Sequence, residues 1–279
     1  MEPSLIAAVL ALSAAAAWGA GDFANGLAAR RAGPQYAVLF SYLVGLLILV
    51  VAAFARSEPL PPFIDLVWGA LAGLSGMIGL LCLLRGFAIG RMGIVAPVSA
   101  VLAALVPVVF AAATSGLPED VRLVGFALAL ASIWLLSRPE KFGGRPAGLI
   151  MALLAGLSFG GFFILLDQIG DQAIFWPLVA GRLVACALML AFVLFTRRPL
   201  FPAQLPLGLL TLAGVLDVGG NLLFLLAVQS GRLDVAAVLV SFYPAVTALL
   251  AWLIIREQLA RLQIVGVSLA VLAIVLITI

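Results

Sequence analysis

Long apolar stretches, separated by short polar ones, run along the whole chain. A helix needs about 20 mainly apolar residues to cross a bilayer, and ten stretches of that kind are present. The predicted spans are Ser4–Ala24, Tyr36–Ala55, Ile64–Leu84, Gly93–Ser115, Val121–Ser137, Ala147–Leu166, Ile174–Thr196, Leu205–Val228, Val235–Ile255 and Leu262–Ile279. The pattern predicts an all-α polytopic membrane protein with ten transmembrane helices.

The second half of the pattern repeats the first when 141 is added to each residue number, without a gap. Trp18 then corresponds to Phe159, and Gly79 to Gly220. We predict one five-helix repeat in residues 1–138, a cytoplasmic linker in 139–146, and a second repeat in 147–279. Because five is odd, the two copies enter the membrane in opposite senses. Such inverted repeats are typical of secondary transporters that work by alternating access.

The loops differ in charge between the two sides of this predicted topology. Most basic residues fall on one side: Arg30, Arg31, Arg91, Arg138, Lys141, Arg145, Arg197, Arg198, Arg256 and Arg261. The other side has Arg56, Arg122 and Arg232, together with most of the acidic residues. The positive-inside rule makes the basic side cytoplasmic and predicts that both termini lie outside.

Composition supports this class and excludes others. Hydrophobic residues make up 65% of the 279 and charged residues only 10%, against about 25% charged in soluble domains. The net charge of +3 is explained by orientation, so we expect no nucleic-acid partner. The absence of histidine rules out His-containing zinc sites and His-dependent catalytic triads. Cys82 and Cys186 lie inside apolar runs and are interpreted as small buried side chains. No cofactor or metal is expected.

A few polar groups lie deep inside predicted spans, where they are costly and usually functional. Arg182 in the seventh span and Asp217 in the eighth fall near the midplane, and Asn221 shares a helical face with Asp217. Asp22 lies late in the first span. Arg182 and Asp217 are candidates for an ion pair, which either locks the second repeat or faces a central cavity and binds a solute. Asp22 and Asp217 are also candidate proton carriers.

Aromatic residues next to helix-distorting glycine or proline extend this candidate site. Trp18 precedes Gly19, Phe159 precedes Gly160, and Tyr243 precedes Pro244. Proline frees a backbone carbonyl and bends a spanning helix, which is tolerated where the backbone lines a cavity. Ordinary core packing is the alternative for each aromatic side chain. The predicted substrate-binding set is Trp18, Asp22, Phe159, Arg182, Asp217, Asn221 and Tyr243.

Other functional classes fit the sequence less well. Gly19-Ala20-Gly21-Asp22 matches the G-x-G-D string of intramembrane aspartyl proteases, but there the partner aspartate comes earlier in the chain, whereas Asp217 comes later. The only lysine, Lys141, lies in the linker, so no span holds a retinal Schiff base. A channel would require rings of repeated polar side chains, and the polar groups here are not repeated. The chain is therefore not expected to be an enzyme.

The stretch Val240–Trp252, followed by Arg256-Glu257-Gln258-Leu259, Gln263 and Gly266, resembles the carboxy-terminal signature of EamA-type proteins of the drug/metabolite transporter superfamily. Trp18-Gly19, Ala88-Ile89-Gly90 and Val95–Ser99 are similar to the same family. The resemblance covers essentially the whole chain as two EamA repeats. It implies ten helices around a central cavity and export of amino acids or related metabolites across a bacterial inner membrane.

We therefore expect a secondary transporter of small metabolites that acts as a monomer in the lipid bilayer, with protons as a candidate coupling ion. An uptake carrier or a multidrug exporter of the same fold is the nearest alternative. A membrane scaffold or lipid-handling protein without a solute cycle is the alternative from another class.

Overall fold

A computed structural model describes residues 3–89, 92–116, 119–136, 148–170, 174–202 and 204–250, with a few isolated positions between 253 and 276. Every regular element within these ranges is helical. The predicted linker 139–146 and most of the tenth predicted span, Leu262–Ile279, lie outside the described residues. The count of ten transmembrane helices therefore stays a prediction.

Ten helical segments are described, and six of them are long and apolar enough to cross a membrane. They are α1 (Pro3–Ala32), α2 (Pro34–Ala55), α3 (Phe63–Ile89), α4 (Met92–Ser115), α5 (Asp120–Leu136), α6 (Leu149–Asp167), α7 (Phe175–Phe195), α8 (Leu207–Ser230), α9 (Leu233–Val240) and α10 (Tyr243–Leu250). The first eight predicted spans each coincide with one helix. The ninth predicted span contains most of α9 and all of α10.

Helices α1 and α3 extend beyond the ends of their predicted spans, α3 by five residues from Leu84 to Ile89. Helix α1 continues eight residues beyond the predicted end at Ala24 and stops at Ala32. Polar residues after position 24 lower the hydropathy, but the helix accommodates Gly26, and the backbone changes direction only at Gly33, which has φ 96°, and Pro34. Helix α4 remains helical through both of its prolines, whereas Pro244 coincides with a real break between α9 and α10.

Large apolar side chains cover the outer surface of the helix bundle. Leu47, Phe54 and Phe195 are 66%, 69% and 89% exposed. In water such a continuous apolar surface would associate non-specifically. In a bilayer the same side chains contact lipid, and the helices satisfy their own backbone hydrogen bonds. The surface therefore supports the assignment as a multi-pass membrane protein.

The two repeats pack through pairs of antiparallel helices. Along α1 and α8, the backbone of Gly231 lies beside Ala7 and that of Gly220 beside Trp18. As the residue number rises on one helix, it therefore falls on the other.

Helices α3 and α6 show the same relation, because Gly79 lies against Phe159 and Gly86 lies near Met151. The 141-residue offset converts the α1–α8 contact into the α6–α3 contact, so the two contacts are equivalent.

Two further pairs are parallel and fix the relative sense of the repeats. Helix α3 runs alongside α7, with Gly69 near Pro177 and Gly73 near Gly181. Helix α2 runs alongside α8 in the same way. Since consecutive helices alternate in direction, α1 and α6 run in opposite senses. The described helices of the two repeats are thus inverted relative to each other.

At each end of the bundle, a side chain of one repeat donates a hydrogen bond to a backbone carbonyl of the other repeat, and the two acceptors occupy equivalent positions. At the acidic end, which carries Glu58 and Asp65, the Trp176 indole donates to the Glu58 carbonyl oxygen at 2.9 Å. At the basic end, which carries Arg30 and Arg198, the Tyr36 hydroxyl donates to the Pro199 carbonyl oxygen at 2.6 Å. The acceptor positions 58 and 199 differ by 141 and are equivalent, whereas the donor positions 36 and 176 differ by 140 and are one residue out of register.

The Glu58 side chain accepts further hydrogen bonds. Pro199, at the equivalent position of the second repeat, has no side-chain group that could do so. Its carboxylate accepts the backbone N–H groups of Ile174, Phe175 and Trp176 at 3.0–3.3 Å. A helix leaves its first N–H groups without intrahelical partners, and a carboxylate there also interacts favourably with the helix dipole. Glu58 of the first repeat therefore caps α7 of the second.

Candidate functional site

A cavity of about 700 Å³, including its open part, lies between the two repeats. Helices α1, α2, α3, α6, α7 and α8 contribute to its wall, and the start of α10 adds one further side chain. All seven residues of the predicted set line it: Trp18, Asp22, Phe159, Arg182, Asp217, Asn221 and Tyr243. The fold thus brings together side chains from two repeats that are far apart in sequence. That they bind a solute remains a proposal.

The charged part of the wall consists of an ion pair between α7 and α8. The Arg182 guanidinium donates a hydrogen bond to the Asp217 carboxylate. Arg182 is 6% exposed, and its guanidinium carbon lies 3.9 Å from the centre of the Tyr42 ring. A cation over an aromatic face gains about 0.5–2 kcal/mol. Of the two interpretations left open by the sequence, the structure therefore shows a pair that both joins two helices and faces the cavity.

Glycines on facing helices position the two aromatic side chains predicted from the repeat. The Trp18 indole lies directly on the backbone of Gly220, where an added Cβ would overlap its ring. An added Cβ on Gly79 would come within 2.7 Å of the Phe159 ring. Because 18 and 159, and likewise 79 and 220, differ by 141, these are the same contact made once by each repeat.

Further aromatic side chains surround Trp18 on the α6 side of the cavity. Its ring centre lies 5.7 Å from Phe163, nearly parallel to it, and 5.9 Å from Phe162. Both phenylalanines line the cavity with Phe159. Contacts of this kind contribute about 0.5–1.5 kcal/mol beyond their buried area. The cavity therefore has an aromatic wall in addition to the charged pair.

Comparison with known proteins decides the family. The sequence model of the EamA-like transporter family matches residues 5–138 and again residues 146–279. The chain belongs to the EamA-like transporter family. Its members are transporters rather than enzymes.

A solved crystal structure of a protein resembles this EamA-like chain over 97% of its length and 95% of the other chain. The TM-score is 0.75 and the sequence identity is 18%, so the likeness supports the fold alone. No curated protein matches the sequence.

The polar groups of the EamA-like cavity are not distributed equally between the repeats. Subtracting 141 places Asp217 on Gly76, Asn221 on Leu80 and Arg182 on Ser41. The repeated framework thus carries polar side chains that are not repeated. Within the described ranges, no three His, Cys, Asp or Glu side chains come together as metal ligands.

Several lining residues were missed by the sequence analysis. Tyr42 was one of them. A hydroxyl inside an apolar span is a signal from which the sequence could have identified it as a lining residue. Phe162 and Phe163 follow Gly160-Gly161 and share the local pattern of Phe159. Three α3 glycines also line the cavity, namely Gly69, Gly73 and Gly76, and the first two let the α7 backbone approach closely.

Proposed function

We propose that this chain exports amino acids or closely related zwitterionic metabolites across a bacterial inner membrane by alternating access. Membership of the EamA-like family supports transport, and the observation that carries the substrate class is the Arg182–Asp217 pair in the wall of the central cavity. The enclosure of this cavity by one chain favours a monomer as the working unit.

A zwitterion suits this pair because it brings the same two charges. Its carboxylate replaces Asp217 on the Arg182 guanidinium, and its ammonium group replaces Arg182 on the Asp217 carboxylate. Every charge then stays compensated in a region where an unpaired charge is costly. Asn221, which is 5% exposed and lies one turn from Asp217, adds an amide that hydrogen-bonds to either group.

The aromatic wall would bind the side chain of such an amino acid. Phe159, Phe162 and Phe163 line the same cavity as the pair, so an amino-acid side chain would contact them once its charged groups are bound. Removing an apolar side chain from water contributes about 25 cal/mol per Å² of buried surface. We therefore expect a preference for amino acids with apolar side chains over glycine.

The distribution of lining residues supports a conformation that is closed at the basic end. The wall reaches Leu166 and Leu178, close to the acidic ends of α6 and α7. Toward the basic end, a packed cluster that includes Leu39, Leu83 and Met189 fills the space between the helices. With the basic end in the cytoplasm, this is a state closed to the cell interior.

Flux measurements in proteoliposomes test the proposal. We expect saturable transport of L-leucine, lost in both Arg182→Ala and Asp217→Asn. Arg85→Ala and Asp120→Asn are matched controls, because both residues are exposed and neither lines the cavity. Unchanged flux in both site variants would refute the assigned roles.

Flux in the same proteoliposomes distinguishes the proposed exporter from a multidrug exporter, an uptake carrier and a scaffold. Ethidium transport with little amino-acid selectivity would indicate a multidrug exporter, and accumulation driven inward would indicate an uptake carrier. Absence of any saturable flux would indicate a scaffold. A reporter fused after Ile279 tests the orientation, since a cytoplasmic signal would contradict the proposed topology.

A further inference from the structure

The cavity contains more negative than positive side chains. Asp22 and Asp217 both line it, whereas Arg182 is the one basic residue among the described residues of its wall. Arg182 is bound to Asp217. The other ion pair in the described ranges, Arg232–Asp234, lies at the acidic end. Asp22 therefore has no cationic partner among the residues that the structure describes.

Among the described residues, the helices packed around Asp22 place no positively charged side chain beside its carboxylate. From α8 it faces Asp217, whose charge repels its own. From α2 and α10 it faces the neutral side chains of Tyr42 and Tyr243. On its own helix, the nearest basic residue in the sequence is Arg30, about two turns away at the basic end.

Buried oxygen atoms without hydrogen-bond partners occur on three residues that adjoin Asp22 or its neighbour Tyr243. They are the Tyr243 hydroxyl, the Ser99 hydroxyl and the Asn25 side-chain carbonyl. Tyr243 lines the cavity. Its hydroxyl lies close to Ser99, although the geometry between them falls short of a hydrogen bond. Asn25 follows Asp22 by three positions and so shares its helical face.

Buried polar atoms are nearly always hydrogen-bonded, so these oxygens are available to a bound donor. An ammonium group has three N–H donors and no acceptor, which suits a carboxylate with an amide oxygen on the same helical face and a hydroxyl in the same cavity wall. Trp18 lies one turn before Asp22 on the same face and also lines the cavity. Its ring is the best aromatic partner for an organic cation.

We infer that Asp22 forms a second, cation-binding subsite, separate from the Arg182–Asp217 pair and completed by the Tyr243 hydroxyl. It holds one positive charge, which comes either from a second amine of the substrate or from a coupling proton. The inference rests on the proposed function for the substrate, but the subsite itself requires only a cation.

Calorimetric titration of the full chain in lipid nanodiscs tests the subsite with n-butylammonium, L-lysine and L-leucine. If the charge is an amine, Asp22→Asn weakens n-butylammonium binding about tenfold or more and lowers the lysine-to-leucine affinity ratio by a similar factor. Tyr243→Phe keeps the ring, removes the unpartnered hydroxyl and weakens n-butylammonium binding less. Asp120→Asn leaves all three affinities unchanged.

If the charge is a proton, Asp22→Asn leaves the lysine-to-leucine ratio as it was. Leucine–leucine exchange in proteoliposomes then continues, while accumulation driven by a proton gradient is lost. The inference is overturned if Asp22→Asn changes neither n-butylammonium binding, nor the lysine-to-leucine ratio, nor the coupling, or, should that variant not fold, if Tyr243→Phe changes none of the three.

The two proposals fail in different ways. Binding of n-butylammonium that depends on Asp22, in a protein that binds no amino acid, would support the subsite and refute the proposed substrate.

Discussion

Removing the Arg182–Asp217 pair one residue at a time, and then as a whole, separates its contribution to folding from its contribution to transport. Arg182→Met leaves the Asp217 carboxylate unpaired, and Asp217→Leu leaves the guanidinium unpaired. The two side chains are 7% and 17% exposed, so either remaining charge is poorly solvated. Breaking a buried pair in this way costs about 3–5 kcal/mol.

That cost corresponds to a measurable thermal shift. One kcal/mol lowers the melting temperature by about 2–4 °C in chains of about 150–250 residues, so we expect a decrease of roughly 6–20 °C for each single variant. The partial exposure of Asp217 places Arg182→Met toward the lower part of this range. The double variant removes both charges, and replacing a buried pair by apolar residues is often neutral or stabilising. Its melting temperature should return close to that of the unmodified protein.

Transport should not return with stability. We expect no saturable leucine flux in either single variant or in the double variant, because each lacks a charged group that the proposed function assigns to binding the zwitterion. Melting is followed by tryptophan fluorescence in detergent, and flux is measured in proteoliposomes at matched protein density. A stable double variant with normal flux would show that the pair is structural only, and stable single variants would refute the burial argument.

Three further substitutions test a close contact between helices, a helix cap and the contact between an aromatic ring and the guanidinium. Gly220→Ala should lower the melting temperature because its Cβ would overlap Trp18, whereas the neighbouring Gly219→Ala, with no atom within 4 Å of its Cβ, should not. Glu58→Ala should cost about 1–2 kcal/mol in a denaturant titration through loss of the α7 cap, while the exposed Glu119→Ala should stay within about 0.5 kcal/mol. Tyr42→Leu should weaken leucine binding more than Tyr42→Phe, which keeps the ring over the guanidinium.

Much of the framework could be predicted from the sequence because hydropathy and the repeat offset report directly on membrane spans. Depth within the spans was enough to predict that Arg182 and Asp217 pair, since each is costly there without the other. Helix α1 runs beyond the end of its predicted span because hydropathy reports where an apolar stretch ends, whereas the helix itself ends at the backbone break of Gly33 and Pro34.

The parts that could not be predicted depend on how each helix is rotated about its axis. Sequence alone did not show that the Tyr42 ring lies under the Arg182 guanidinium, or that Gly69 and Gly73 face α7. Both facts follow from packing between helices, where small residues allow close backbone approach. The four-residue spacing of Gly69 and Gly73 is typical of a close contact between helices, but it did not identify α7 as the partner helix.

The helices and their aromatic contacts are repeated in the two halves, whereas the charged residues of the cavity are not, and this difference affects how the proposed site would work. The Trp18–Gly220 and Phe159–Gly79 contacts are equivalent, so an exchange of conformation between the repeats preserves the aromatic packing at the centre. The charged groups have no such equivalent, because Gly76 and Ser41 occupy the corresponding positions. In the proposed alternating-access cycle, a ligand bound to Arg182 and Asp217 therefore keeps the same polar partners whichever end of the cavity is open, and the conformational change alters its access rather than its binding groups.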